Sequence, residues 1–318
     1  MAGKWSCGWS LIPRDDGAGA GDCNPGLTFD PKRGRDVASG RGWPYVNAGP
    51  DRPQQGQIDR MIADETVFTL RLAQDARDLR AAQRLRYRVF VEELGADGPL
   101  VDHTARLERD GFDDIFDHLL LIDTRRDAAA LEDVVGVYRL LPSDRLGPEG
   151  QFYSEAEYDL TALRASGRKL LELGRSCVHP DHRGGTAMFH LWNALADYVL
   201  ERGIEILFGV ASFHGTDIAR LTPSLAYLHH HHLAPPALRV RAREPGFQRM
   251  DLLPPEALER KAAMAATPAL IKAYLRLGGF VGQGAFIDRA FNTTDVCLVM
   301  DTARMSERHR GYYTRGRG

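Results

Sequence analysis

The pattern of hydrophobic and polar positions changes abruptly near residue 61. Residues 1–60 are rich in Gly, Pro, Asp and Arg, and no window in them has the hydrophobic period of a helix or a strand. We therefore expect a disordered N-terminal extension over residues 1–60, with Met61 as a candidate for the true translation start. A folded domain is expected over residues 61–303, followed by a basic tail over residues 304–318.

Strands and helices alternate in the predicted domain. Period-two alternation and short apolar runs predict strands at residues 66–71, 118–123, 134–141, 169–177, 204–211, 238–251 and 295–301. Apolar positions at helical spacing predict helices at residues 75–93, 187–202, 217–227 and 255–277. The histidine- and proline-rich run at residues 229–236 is expected to break the pattern. Together these elements predict a mixed α/β domain.

Composition narrows the classes of protein that the chain can belong to. The hydrophobic content of 43% and charged content of 26% are those of an ordinary globular protein, and the net charge of −2 indicates no particular partner. We expect no nucleic-acid partner. The four cysteines are scattered without a CxxC pair. No apolar stretch approaches the roughly 20 residues of a transmembrane helix, and no secretion signal begins the chain. A cytoplasmic protein with at most peripheral membrane contact is expected.

Positive charge is concentrated on and just before the first predicted helix. Six arginines face only two aspartates within eighteen residues, and they are Arg71, Arg77, Arg80, Arg84, Arg86 and Arg88. A local basic field on a nearly neutral chain suits an acidic macromolecular partner, but charge alone favours the alternative, a solvated helix face.

A polar, glycine-containing loop at residues 178–185 (VHPDHRGG) lies between a predicted strand and a predicted helix. Gly184 and Gly185 would let backbone N–H groups approach an anion, and the helix dipole adds partial positive charge there. The loop suits a pyrophosphate or a phosphopantetheine arm. An Arg-Gly-Gly turn that merely begins a helix is the alternative.

The segment CVHPDHRGG resembles the donor-binding motif of the GNAT acyltransferases. The resemblance implies a GNAT-like α/β fold, with a twisted, mixed and mostly antiparallel sheet flanked by helices. It also implies donor contacts from Val178, Arg183, Gly184 and Gly185. The further glycines that usually follow the Arg are missing here, which is consistent with a donor that lacks the nucleotide of coenzyme A, such as an acyl carrier protein.

A second resemblance is to the acyl-homoserine-lactone synthases, a GNAT branch that takes acyl groups from a carrier protein. It begins at residues 85–93 (LRYRVFVEE). The matching positions, in chain order, are Arg86 and Phe90, Asp114 and Asp117, Arg139, and Glu172 and Arg175. Leu94 stands where those enzymes place a Trp, and the chain continues far beyond their core.

The C-terminal extension resembles a GNAT branch other than the lactone synthases. Residues 211–217, 227–236 and 277–296 resemble the ornithine N-α-acyltransferases of bacterial ornithine-lipid synthesis, and the resemblance covers residues 61–305. It implies transfer of a 3-hydroxyacyl group from acyl carrier protein to ornithine, giving lyso-ornithine lipid. The phosphopantetheine of the carrier would be the only cofactor. A lactone synthase-like enzyme and a non-catalytic GNAT module that binds carrier protein or membrane are the alternatives.

Acyl transfer to an amine requires a base for the ammonium, and Glu172 is the candidate. A structural salt bridge between Glu172 and Arg175 is the alternative. Arg139 and Arg175 are candidates to hold the substrate carboxylate or the aspartate pair. Asp114 and Asp117 would bind the side-chain ammonium of ornithine, orient the first helix, or have no task.

Other residue types predict less chemistry. No covalent intermediate is required, so we expect Cys177 to be a small buried residue. The adjacent histidines at residues 229–232 cannot all face one ion, and we expect no metal. The glycines around residues 278–284 would shape an acyl tunnel or form a flexible turn.

Overall fold

The computed structural model describes residues 67–147, 149–184, 186–289 and 291–304. The predicted disorder of residues 1–60, the proposed start at Met61 and nearly all of the basic tail lie outside the described residues.

The described residues form strands and helices in alternation. The strands are β1 (Phe68–Leu72), β2 (Asp117–Asp123), β3 (Val134–Pro142), β4 (Tyr158–Asp159), β5 (Leu170–Val178), β6 (Ile206–His214), β7 (Arg241–Ala242), β8 (Phe247–Gln248), β9 (Phe280–Val281), β10 (Ala285–Asp288) and β11 (Thr293–Asp301). The helices are α1 (Ala76–Arg86), which continues as a π-helical segment (Tyr87–Glu93), α2 (Thr161–Arg164), α3 (Ala187–Arg202), α4 (Ile218–His232), α5 (Arg260–Ala266) and α6 (Ala269–Arg276).

One large sheet organises the described part of the chain. Its strand order is β1-β2-β3-β5-β6-β11-β10-β8, and β9 also pairs with β11. The pair β5–β6 is parallel, and the other neighbours are antiparallel. This confirms the predicted mixed, mostly antiparallel sheet. The C-terminal strands do not form a separate layer, because β11 pairs with β6 along its whole length.

Helices cover both faces of the sheet. On one face, Ala82 and Leu85 of α1 pack against Leu120 and Val137. On the other face, α3 and α6 pack against side chains from the intervening strand positions, such as Leu121. The two faces differ because successive side chains of a strand point to opposite sides.

Three predicted elements differ from the structure. The helix expected at residues 255–277 is two helices, because Pro268 holds the preceding Thr267 in an extended conformation. The strand expected at residues 238–251 is reduced to β7 and β8, with Pro245 between them. The histidines at residues 229–232 form the last turn of α4 instead of ending it, and the chain becomes extended at Leu233, two residues before Pro235.

Candidate active site

The parallel strands β5 and β6 separate along their length. In the described residues their pairing runs only from Leu170 to Glu172 on β5 and from Ile206 to Phe208 on β6. Both strands then continue for six residues, β5 bonded to β3 and β6 bonded to β11. We call the space between the separating ends the β5–β6 opening. Strand backbone bordering such a space offers N–H and C=O groups to an amide-containing ligand.

A β-bulge lies where β5 leaves β6. The register between β3 and β5 shifts between Val137 and Arg139, so that β5 carries an extra residue. Arg175 has a φ of 46°, in the left-handed region that a non-glycine residue rarely adopts. A strained residue beside an opening in a sheet is a common feature of functional sites.

Glu172 is the last residue of β5 that pairs with β6. Its buried carboxylate accepts hydrogen bonds from the backbone N–H of Tyr153 at 2.8 Å and of Ser154 at 2.6 Å, and from the Ser154 hydroxyl. Burial raises the pKa of Glu172 to about 7, and these hydrogen bonds and the nearby Arg139 oppose the rise. The carboxyl therefore changes its protonation state near neutral pH.

Six buried charged side chains lie beside this strand, between α1 and the sheet. The set consists of Arg86, Arg139, Arg175, Glu108, Asp110 and Asp113, which we call the six-charge cluster. Its three positive and three negative groups balance.

Arginine forks hold the cluster together. Arg86 donates to Asp113 at 2.6 Å and to Glu108 at 2.5 Å. Arg139 donates to Asp110 at 2.7 Å, and Arg175 donates to Glu108 at 3.1 Å. Opposite charges lower the pKa values of Asp110 and Asp113 against the effect of burial. Both acids therefore stay ionised and keep the arginines in place.

The aspartate pair at this site is not the one expected from the sequence. Asp114 is exposed, and Asp117 accepts hydrogen bonds from Arg145, Tyr198 and Arg202. The acids on the arginines are Asp110 and Asp113, which have the same spacing of three but lie four residues earlier. The turns before β2 point Asp110 and Asp113 inward, and this local path is not encoded in the spacing.

Arg139 keeps hydrogen-bond donors that no described residue accepts. Its guanidinium lies 4.4 Å above the ring of Phe116, and its Nε and Nη2 atoms have no acceptor among the described residues. A buried donor without an acceptor is costly unless a ligand provides one. Phe90 is also buried here, with its ring 5.9 Å from the guanidinium of Arg175. The structure thus brings Arg86, Phe90, Arg139 and Arg175 together.

The predicted donor loop follows β5 directly. Val178 ends the strand, and the Arg183 side chain donates to its carbonyl at 3.0 Å and to Glu93 at 2.5 and 2.7 Å. Arg183 thus fastens the loop to the π-helical segment. Gly184 has a φ of 77°, which suits glycine. Gly185 lies outside the described residues, and the donor contacts remain a prediction.

An apolar cavity of about 350 Å³ lies on the opposite face of the sheet from Glu172, between α3 and α6. We call it the acyl cavity, and its walls include Trp192, Ala196, Leu207, Tyr274 and Met300. Its volume is within the range of small-ligand pockets.

A small void of about 10 Å³ lies between the acyl cavity and the β5–β6 opening. It shares Leu207, Tyr274 and Met300 with the cavity, and it reaches Leu173 and Gly209, where the two strands separate. Gly279 also lines it, and a Cβ there would meet the Tyr274 carbonyl oxygen at 2.8 Å. One glycine of the second Gly-rich segment therefore lines this void, and a role of the segment in an acyl tunnel stays a prediction.

Two further groups bear on the chemistry. Cys177 is buried, and burial raises its pKa well above the usual value, so the thiolate is disfavoured at neutral pH. Glu157, Asp288 and Asp295 are buried with carboxylate oxygens within 4.8 Å of one another. Sequence reasoning did not find this acidic group, because Glu157 lies more than a hundred residues before Asp288 and Asp295. The absence of a metal remains a prediction.

Comparison with known proteins identifies the chain. The acetyltransferase (GNAT) domain family matches residues 85–193. The fold and this match define the class of the protein, a GNAT acyltransferase. Over 261 residues the chain is 67% identical to the L-ornithine N(alpha)-acyltransferase of Rhodobacter capsulatus, a match that covers 81% of this chain and 100% of that protein. The protein belongs to the L-ornithine N(alpha)-acyltransferase family.

More distant relatives agree. The L-ornithine N(alpha)-acyltransferase of Brucella abortus is 42% identical over 246 residues, covering 77% of this chain and 88% of that protein. That of Rhizobium meliloti is 40% identical over 271 residues, covering 85% and 90%. Among the described residues, no helix combines the length and the apolar character needed to cross a membrane.

Proposed function

We propose that the protein transfers a 3-hydroxyacyl group from the phosphopantetheine of acyl carrier protein to the α-amino group of ornithine. Family membership and one structural observation support the proposal, namely that a small void lies between the β5–β6 opening and the acyl cavity. The prosthetic arm would lie along β5, with its acyl chain passing between the strands into that cavity. The thioester carbonyl would then accept a hydrogen bond from a β5 backbone N–H, which stabilises the developing oxyanion.

Ornithine would approach from the face that carries Glu172 and Arg139. Strand alternation supports this arrangement, because Glu172 points away from the side of the sheet on which Leu173 lines the void. The unpartnered Nε and Nη2 atoms of Arg139 suit the substrate carboxylate, which a guanidinium fork holds well.

Glu172 would serve as the base for the α-ammonium group. A carboxyl with a pKa of about 7 is well matched to proton transfer near neutral pH. The neutral amine attacks the thioester carbon to form a tetrahedral intermediate. As the C–S bond breaks, the attacking nitrogen loses its second proton, and the carrier thiolate takes up a proton and leaves as the thiol. Arg175 would hold Glu108 and Asp110 in place through its hydrogen bonds, and these two acids would border the side of the site where ornithine enters.

The donor loop would contact the prosthetic arm mainly through its backbone. Both terminal nitrogens of Arg183 are bonded to Glu93, so backbone N–H groups are the donors that the loop has left for the arm. The product would be an amphiphile that must reach a bilayer, which supports peripheral contact with the inner face of the cell membrane.

Lipid analysis tests the function in cells. The chain is expressed in a bacterium that makes no ornithine lipid, and the extracted lipids are examined by mass spectrometry. We expect 3-hydroxyacyl-ornithine in the strain with the wild-type chain and much less of it with Glu172→Gln. An acyl-homoserine lactone as the product, or no new amphiphile in a strain that holds the folded protein, would contradict the proposal.

A further inference from the structure

A second, smaller pocket of about 80 Å³ lies at the C-terminal end of α1, on the outside of the molecule. We call it the α1 pocket. Its charged and polar walls come from Arg84, Arg88, Glu92, Arg106, Glu132 and His179. The pocket therefore lies between α1, the π-helical segment and His179, the residue that follows β5.

Three of the six arginines on and beside α1 are occupied by internal ion pairs. Arg71 pairs with Asp78, Arg77 pairs with Asp133, and Arg86 lies in the six-charge cluster. These three side chains are unavailable to a partner. The predicted basic face of the helix is thus smaller than the sequence indicates.

Arg84 and Arg88 are different. Arg84 donates to the backbone carbonyl of Ala105 at 3.1 Å, and Arg88 Nη1 lies 2.7 Å from His179 Nε2. Neither guanidinium forms an ion pair within the described part of the chain. Four residues apart on one helix, they face the same side.

The remaining charges of the α1 pocket cancel in pairs. Arg106 pairs with Glu92, and Arg126, which lies 3.4 Å from His179, pairs with Glu132. Burial and the neighbouring arginines Arg88 and Arg126 lower the pKa of His179 to about 4, so this histidine is neutral. Asp181, whose carboxylate lies 3.5 Å from His179 Nδ1 and 3.9 Å from Arg126, offsets one positive charge. Arg84 and Arg88 still leave a net positive charge beside His179, which an anion with several acceptor oxygens can neutralise.

The position of the pocket suggests which anion. His179 directly follows Val178, the last residue of β5. From Glu172 to His179 an extended strand spans about 23 Å. An extended phosphopantetheine arm is of comparable length, so an arm with its thioester near Glu172 carries its phosphate toward the far end of the strand.

We propose that Arg84 and Arg88 in the α1 pocket bind the phosphodiester of the donor's phosphopantetheine arm. This inference rests on the proposed function, because that function places the arm along β5. Bidentate guanidinium contacts suit phosphate oxygens.

Binding without turnover tests the pocket directly. Calorimetry measures the affinity of the protein for 4′-phosphopantetheine and for pantetheine, which lacks the phosphate. We expect the wild type to prefer the phosphorylated compound by about tenfold or more. The double variant Arg84→Met/Arg88→Met should lose this preference. The variant Arg220→Met/Arg249→Met, which removes two exposed arginines elsewhere, is the charge-matched control and should keep it.

Two results would overturn the proposal. An unchanged preference in the folded Arg84→Met/Arg88→Met variant would show that the phosphate binds elsewhere. An equal loss in the control variant would show a general effect of net charge. Circular dichroism spectra and melting temperatures verify that the variants are folded, and Arg84→Lys/Arg88→Lys, which keeps the charges, should recover part of the preference.

Kinetics separates the phosphate from the acidic surface of the carrier. The double variant should raise KM by about tenfold for acyl-phosphopantetheine and for acyl carrier protein, and should leave acyl-pantetheine unchanged. A rise confined to acyl carrier protein would assign the arginines to carrier side chains and reject the phosphate. Absence of transfer to ornithine by the wild type, with phosphopantetheine binding still dependent on the pair, would reject the proposed function alone.

Discussion

Ser154 donates both its backbone N–H and its hydroxyl to one oxygen of Glu172. The first bond measures 2.6 Å, and Tyr153 donates to the other oxygen at 2.8 Å. The short helical turn that begins at Tyr153 therefore presents its N-terminal donors to the carboxylate. This arrangement holds the carboxylate of the proposed base at the point where β5 and β6 begin to separate. It should therefore affect both catalysis and stability.

Removing the proposed base should slow transfer without preventing folding. For Glu172→Gln we expect kcat to fall about 10²- to 10⁴-fold, the range typical of general base catalysis. The wild-type rate should rise with pH through about 7, because the ionised carboxylate accepts the proton. In Ser154→Ala, two donated hydrogen bonds become one, so the midpoint should move to higher pH. A Glu172→Gln enzyme with nearly wild-type kcat would exclude Glu172 as the base.

The same carboxyl should make stability depend on pH. The pKa of Glu172 is about 7 in the folded protein, against 4.5 for its ordinary value. Between these values the folded state binds one proton more, so the contribution to stability is complete below pH 4.5 and is lost as the pH rises through 7. The difference in unfolding free energy between wild type and Glu172→Gln should thus decrease, by on the order of 3 kcal/mol, from pH 4 to pH 8. Urea unfolding at each pH measures it, and an increase would contradict the burial of an ionisable carboxyl here.

Breaking the six-charge cluster should lower the free energy of unfolding substantially. Arg86→Ala leaves Glu108 and Asp113 without this partner in a buried setting, and we expect a loss of about 3–5 kcal/mol in the free energy of unfolding. Arg249→Ala removes an exposed ion pair and should cost less than about 1 kcal/mol. Urea denaturation of both variants provides the comparison. Equal losses would mean that the cluster does not organise the site.

Filling the acyl cavity should change the preference for chain length. Ala196 lies in the wall of the cavity, and a phenyl ring introduced there reduces the space for the end of an acyl chain. In Ala196→Phe we expect kcat/KM to fall about tenfold for long-chain donors and to change little for short-chain donors. The exposed substitution Ala262→Phe is the control. A uniform loss for all chain lengths would show that this cavity does not hold the acyl chain.

The thiol of Cys177 should be dispensable. Because the side chain is buried and its pKa is raised, we expect Cys177→Ala to keep at least about half of the wild-type kcat. Mass spectrometry after brief iodoacetamide treatment of the native protein should find Cys177 unmodified. A covalent acyl-cysteine at this position, trapped on the folded enzyme, would require a different mechanism.

Much of the fold follows from local pattern. The strand at residues 134–141 and the helix at residues 187–202 were predictable, because their apolar positions repeat with the period of one element. The sheet order was not, because β11 inserts beside β6 across about eighty residues of intervening chain. The separation of β5 from β6 and the bulge at Arg175 are also products of tertiary pairing.

The site was only partly predictable, for a similar reason. Arg86, Arg139 and Arg175 were found because their elements carry clear patterns. Glu108 and the true acidic partners lie in an irregular segment, where spacing alone allows several registers. The spacing of Glu108, Asp110 and Asp113 becomes meaningful only when the three arginines are seen to converge on these acids.

Purified enzyme with defined substrates tests the central claim most directly. The protein is incubated with 3-hydroxyacyl carrier protein and with ornithine, Nα-acetyl-ornithine or S-adenosylmethionine, and the products are identified by mass spectrometry. We predict one product, ornithine acylated on its α-amino group, and none from the blocked amine. Acylation of S-adenosylmethionine, or of ornithine on its side-chain amine, would contradict the account.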